Sequence, residues 1–325
     1  MKCSFLIALG MLLFGCGKSD SQHEIVLYSS VDEPYVTPLI QRFEQQTKIH
    51  VRLVTDTEAT KSAALSERIE AEKDHPQADV YWGNEIFHTI NLAEHGVFAA
   101  YRAKTADDVP PRWRGKDDLF TGIGLRARMI VFSTRTEHPA LHGLNDLTDP
   151  SFKGKIGICH PGFGTASGHI AALYVLWGEA KFTDYMRALR ANDVKLLGGN
   201  SAVVDQVAAG NLLAGISDND DINNAKADKQ PVDGVLPDRD GQGTLLIPTT
   251  IALVNHAPNP DDAKKLIEFL CTAEVEKELI DKGFLVASVR DTGSIKAMDV
   301  DYVEAAHRMR HAIELSLGIL QDRGK

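Results

Sequence analysis

Ile25-Val26-Leu27-Tyr28 runs into Ser29-Ser30-Val31-Asp32, and Val36, Leu39, Ile40 and Phe43 then recur at helical spacing. A short β-rich run, a polar turn and an amphipathic helix make one strand–helix unit. The unit repeats outward along the chain. Ile49 to Val54 alternates like a half-buried strand, residues 58–74 are polar and helix-compatible, and Ala78-Asp79-Val80-Tyr81-Trp82 reads as the next buried strand. A helix follows from Glu85, with Gly96 as its stop. Strands alternating with helical stretches predict an α/β protein with a largely parallel sheet.

The second half repeats the pattern after a long strand, Arg126-Ala127-Arg128-Met129-Ile130-Val131-Phe132. Lys155 to Cys159 is the next strand, Pro161 to Thr165 a glycine-rich turn, and helices follow through Leu176 and over about 180–191. Asn200-Ser201 predicts the cap of a helix at 202–209, with Gly210 beyond its end. Leu213 to Ser217 is a strand that enters a polar loop, Asp218-Asn219-Asp220-Asp221. The run Leu245 to Val254 looks like a return to the first half. Its Pro248 has no N–H to donate and suits an edge or crossover strand better than a central one. Asn259-Pro260-Asp261-Asp262 supplies a cap, an N1 proline and an acidic first turn, and helices at about 273–282 and 300–320 close the chain.

The first 22 residues read differently. Lys2, the apolar run Phe5 to Phe14 and Gly15 make a secretory signal too short to span a bilayer. Leu13-Phe14-Gly15-Cys16 resembles a bacterial lipobox, which makes Cys16 the expected lipidation site and 17–22 a polar tether. An ordinary signal peptide cleaved nearby also predicts a periplasmic or cell-surface chain. The roughly 300 residues that remain exceed what one core usually serves, so two lobes are expected. A formal charge of −10 argues against nucleic acid as a partner. Cys159 and Cys271 sit in apolar runs without metal-type spacing and are expected as buried thiols.

Several segments in order resemble the ferric-iron type of solute-binding proteins of ABC importers, a two-lobe, transferrin-like family. Tyr28 to Asp32 stands at the family's Tyr-Asn-Gly-Gln-His loop, and Ala78 to Glu85 matches its Ala-Asp-Val-Phe-Tyr strand and glutamate. Leu125 to Val131 matches its Gly-Arg-Ser-Arg crossover, and Phe152 to Gly164 its Lys-Gly-Lys-Ile-Gly and Pro-x-x-Gly segment. Asn200 to Gly210 and residues 260–270 match the Asn-Ser-Ala and Pro-x-x-Ala-Lys-Lys-Leu-Ile-Glu-Phe-Leu motifs. The resemblance implies a type II periplasmic-binding-protein fold with two crossover hinge strands, at about 125–130 and 243–250. Lobe 1 would hold 24–125 plus 245–285, and lobe 2 would hold 126–244 plus 286–325. It also implies a monomeric, non-enzymatic carrier that closes on its ligand and serves an ABC permease and ATPase.

The family's two adjacent iron-binding tyrosines fall on Asn219 and Asp220, and its histidine on Asp32. The implied cargo is ferric iron with a synergistic anion, or a related small ligand. The alternative is a small organic ligand, phosphorylated or amine-bearing, held without metal. Asp32, Glu85 and Asp220 are the candidate metal ligands, with Asp221 beside them, because carboxylate oxygens suit a hard cation or an amine. Gly164 and Thr165 open a helix where backbone N–H groups suit an anion. Arg126 equally suits that anion or a carboxylate between the lobes. Asn200, Ser217 and Asn219 are further polar candidates. No Gly-x-Ser-x-Gly elbow, phosphate loop or zinc motif is present, and no cofactor is expected.

Overall fold

The computed structural model describes residues 23–55 and 63–321. The signal segment with Cys16, and residues 58–62 of the helix-compatible stretch, lie outside those residues.

The first half follows the apolar pattern. Strand β1 (Glu24–Ser29) leads into α1 (Glu33–Thr47), whose Tyr35, Val36, Leu39, Ile40 and Phe43 are buried along one face. β2 (His50–Thr55), α2 (Ala63–Ala71), β3 (Val80–Gly83) and α3 (Ile86–Glu94) continue the alternation. β1 pairs in parallel with both β2 and β3. After β4 (Phe98–Ala99) comes β5 (Thr121–Ser133), a strand of 13 residues that belongs to both halves of the molecule. Its residues 121–127 pair with β10 (Leu246–Val254), and residues 128–133 pair with β8 (Ala214–Asp218) and β9 (Val232–Val235).

In the second half β6 (Ile156–Cys159) runs parallel to β8 and to β7 (Lys195–Leu197), giving the strand order β2-β1-β3-β10-β5-β8-β6-β7. The sheet is therefore mixed rather than largely parallel. β5 and β10 run against their neighbours because they carry the chain from one half to the other and back. Pro248 sits inside this ladder, not at its edge. The register slips between Pro248 and Thr249, and that irregularity accommodates the missing donor.

Helix α4 (Gly164–Ala191) is broken at Gly178, whose φ of 73° no helix interior adopts, which reproduces the two helices read from the sequence. α5 (Asn200–Ala208), α6 (Asn219–Ala227), α7 (Pro260–Leu270), α8 (Ala273–Asp281) and α9 (Tyr302–Leu320) complete the set. α9 packs on α4 and also on α3, so it touches elements of both halves. Cys159 and Cys271 are buried, and among the described residues neither forms a disulfide. Among the described residues no helix is long and apolar enough to cross a membrane.

Candidate functional site

The parallel group β7-β6-β8 brings three helix starts to one end of the sheet, since α4, α5 and α6 follow those strands closely. The capping positions Phe163, Gly199 and Asp218 lend no side-chain oxygen to the first-turn N–H groups. Three helix ends thus present donors and positive dipole ends to the same region. Two arginines enter it from β5. Arg126 and Arg128 are two residues apart on a strand, so they share a face, and they are only 3% and 2% exposed.

Their partner is Asp218, at the end of β8. Arg126 Nη2 donates to Asp218 Oδ2 at 3.0 Å and to Asp220 Oδ1 at 2.6 Å. Arg128 Nη1 donates to Asp218 Oδ1 at 2.7 Å, Asn200 Oδ1 at 2.9 Å and Thr165 Oγ at 3.0 Å. Thr165 Oγ donates in turn to Asp218 Oδ2 at 2.5 Å, and Asn200 Nδ2 reaches the same oxygen at 3.2 Å. Burial would raise the Asp218 carboxyl, but the two guanidinium groups outweigh it and hold the pKa at about 2. Asp220 goes the other way. Its burial, with the Asp218 and Asp32 charges nearby, lifts it above the usual range against the pull of Arg126. His169 behind the cluster is pushed down to about 3, by burial and by the Arg128 charge, so it is neutral at pH 7.

In front of this network is a polar pocket of about 20 Å³, with Asn84 on one wall and Arg126, Phe163, Gly164, Thr165, Asn200, Asp218 and Asp221 around it. That volume holds roughly one water. A larger solute enters only if the walls separate. Asn84 comes from the β3–α3 turn in the first half, whereas Gly164, Thr165, Asn200 and Asp221 come from the second.

The bacterial extracellular solute-binding protein family matches residues 25–285, most of the described chain. The chain belongs to that family. It is 26% identical over 303 residues to iron uptake protein A1 of Synechocystis, covering 86% of this chain and 83% of that one. A periplasmic protein of Salmonella typhimurium named for 2-aminoethylphosphonate binding is 25% identical over 288 residues, covering 85% and 82%. Among solved structures, the apo ferric ion-binding protein A of Pasteurella haemolytica superposes with a TM-score of 0.81 at 21% identity, covering 93% of this chain and all of that one.

In this solute-binding protein the residues read from the sequence fall into separate groups. Arg126, Gly164, Thr165, Asn200 and Asp221 line the pocket. Ser217 lies just behind, its Oγ donating to the Asn200 carbonyl oxygen and to Asp221 Oδ2. Asn200 is the first residue of α5, not its cap, and its amide is spent on Thr165, Arg128 and Asp218. The set Asp32, Glu85 and Asp220 does not bring three ligand atoms together, although the Asp32 charge lies close enough to raise Asp220. Among the described residues only Asp218, Asp220 and Asp221 bring three such ligand atoms within 4.8 Å. The Glu85 carboxylate caps α3, accepting from the Phe87 and His88 N–H groups and pairing with His88 Nδ1 at 2.8 Å. Asp32 is the N-cap residue of α1 and half-buried.

Asn219 is fully engaged elsewhere. Its Oδ1 accepts from the Ala127 N–H at 2.8 Å, and its Nδ2 donates to the Gly283 and Phe284 carbonyl oxygens. The polar loop at 218–221 is therefore the first turn of α6. Tyr81 and Trp82 are fully buried, whereas Phe163 reaches the pocket. Arg128 and Asp218 are central to the site but are not singled out by residue type alone. The signal for Arg128 is its spacing of two from Arg126 on a strand.

Proposed function

We propose that this chain is the capture subunit of an ABC importer outside the cytoplasm, taking a small oxyanion-bearing solute into the pocket at Arg126. The observation that carries the reading is an orphan donor on the pocket wall. Arg126 lines the pocket, and its buried Nε has no hydrogen-bond partner among the described residues. A buried donor left unmade costs free energy that a ligand oxygen would recover. Three uncapped helix starts aim further donors at the same place. Asp221, on the pocket wall, suits an amine or hydroxyl elsewhere on the solute. Phosphonate- or phosphate-bearing small molecules combine both features, and the Salmonella relative is named for one.

A ferric reading has its own support, in the cluster of Asp218, Asp220 and Asp221 and in the name of the Synechocystis relative. Iron would have to take Asp218 and Asp220 from Arg126 and Arg128, leaving two buried guanidinium charges beside a trivalent cation. The oxyanion reading needs no such exchange.

Residues 24–125 plus 245–285 act as one lobe and 126–244, with the C-terminal stretch 286–325, as the other. Ligand contacts from both favour the closed form of a single chain held at the membrane through Cys16. Calorimetry of the wild type with 2-aminoethylphosphonate, inorganic phosphate and ferric citrate tests the ligand class. The oxyanions should bind, and Arg126→Ala should weaken them by about 30- to 1000-fold, as for truncation of a buried charged contact. Tight ferric binding that survives Arg126→Ala and is lost in Asp220→Ala would establish the metal reading instead.

A further inference from the structure

Phe87 lies three residues after Asn84, and Gly168 one helical turn after Gly164. Asn84 and Gly164 both line the solute pocket, one from the β3–α3 turn of the first half and the other from the start of α4 in the second. Directly behind those walls the Phe87 ring lies on the backbone of α4. A Cβ built on Gly168 would stand 2.0 Å from Phe87 Cδ2 and 2.2 Å from Cε2, which no packing tolerates. The ring cannot yield cheaply. Phe87 is 0% exposed, its N–H is bonded to Glu85 Oε2 at 2.6 Å, and its ring packs on Tyr302 at 5.8 Å. Tyr302 is itself tied to the Leu246 carbonyl oxygen at 2.5 Å.

Gly168 lies within α4 and is not among the glycines with positive φ, so the backbone does not demand glycine there. Glycine in a helix interior weakens the helix. Its place is explained by the ring that occupies the position of its missing side chain.

We propose that Gly168 is a specificity-determining position: by admitting the Phe87 ring against α4 it sets the width of the solute pocket, and hence the size of solute that closure accepts. This rests on the reading that solute binds between Asn84 and the α4 turn. A methyl at 168 would force α3 away from α4 and hold Asn84 back from Gly164 and Thr165. Pocket width, not stability alone, is what the change should move.

The pocket carries its own reporter. Cys159 lines it and is 3% exposed, and it also faces a second cavity with Ala166, His169 and Ile170 of α4. Cys271, at 2%, lies in the core of the first half. Alkylation by iodoacetamide, followed at both thiols by mass spectrometry, therefore reads opening around the start of α4 without any ligand. In the ligand-free full chain, Gly168→Ala should speed modification of Cys159 and leave Cys271 unchanged. Gly168→Ala/Phe87→Ala, which removes the ring that the methyl strikes, should return Cys159 towards the wild-type rate. In parallel, affinity for inorganic phosphate should fall by roughly 5- to 150-fold in Gly168→Ala, the range expected for overpacking. The loss for the larger 2-aminoethylphosphonate should be smaller.

An unchanged Cys159 rate in a folded Gly168→Ala protein overturns the proposal, as does failure of the Phe87 change to rescue. If Gly168→Ala does not fold, folding of the double variant upholds the steric link and its failure overturns it. If neither probe binds the wild type, the ligand reading falls, while the thiol rates still decide the role of Gly168.

Discussion

Asp218→Asn keeps the shape of the side chain and removes the charge that both arginines share. Arg126 would retain Asp220, but the hydrogen bonds left to Arg128 Nη1 are those it donates to Thr165 and Asn200, both neutral. Two lines of reasoning give the size of the loss. The Asp218 carboxyl is drawn from an ordinary 3.8 down to about 2, so the folded site favours its ionised form by about 2 kcal/mol. Removing one partner of a buried ion pair typically costs about 3–5 kcal/mol. A loss of about 2–5 kcal/mol at pH 7 follows, or roughly 5–15 °C in Tm. Urea unfolding followed by circular dichroism at several pH values is the assay. Because the folded pKa is depressed, the wild type holds this stabilisation above about pH 4 and loses it as the pH falls towards about 2. The variant has nothing to lose there. The gap between the two proteins should be flat near neutrality and narrow below about pH 4. A loss under about 0.5 kcal/mol at pH 7, or a gap that fails to narrow by about 2 kcal/mol towards low pH, would refute the assignment of Asp218 as the shared counter-ion.

Asn219→Ala should cost about 2–4 kcal/mol in the same assay, because it strips partners from the Ala127 N–H and from two carbonyl oxygens. Its effect on solute affinity should be far smaller than that of Arg126→Ala. Loading with ferric citrate should produce no strong visible band, since among the described residues no tyrosine lines the pocket; a purple or red protein would contradict the geometry. Radiolabelled palmitate should enter the wild type expressed in a bacterium and not Cys16→Ala; no label in either removes the lipid anchor.

The strand–helix alternation made the first half readable, because Val36, Leu39, Ile40 and Phe43 mark a buried helical face. The crossover role of residues 126–132 was equally legible, as was the break between two helices near Gly178. β4, β7 and β9 have two, three and four residues, too few for a period to show. The site was harder. A carboxylate looks the same in sequence whether it waits for a cation or caps a helix, and Glu85 turns out to do the latter. Asn219 and Asp220 are neighbours, yet one is spent on the backbone of β5 and the other on Arg126. Only the three-dimensional partners separate such roles.

The late position of β10 in the chain bears on how the protein reaches its fold. That strand sits between β3 and β5 and also pairs with β4, yet it is built only after β6 to β9 have been made. As the polypeptide lengthens, the open side of β3 has no neighbour from Gly83 until Leu246 arrives. Pairings this distant along a chain form slowly, and an open strand edge invites contacts with other chains. Folding during synthesis would stall on an incomplete first sheet. Assembly should instead be post-synthetic, with its pace set by the docking of this one strand, and a holding chaperone should matter most before that step.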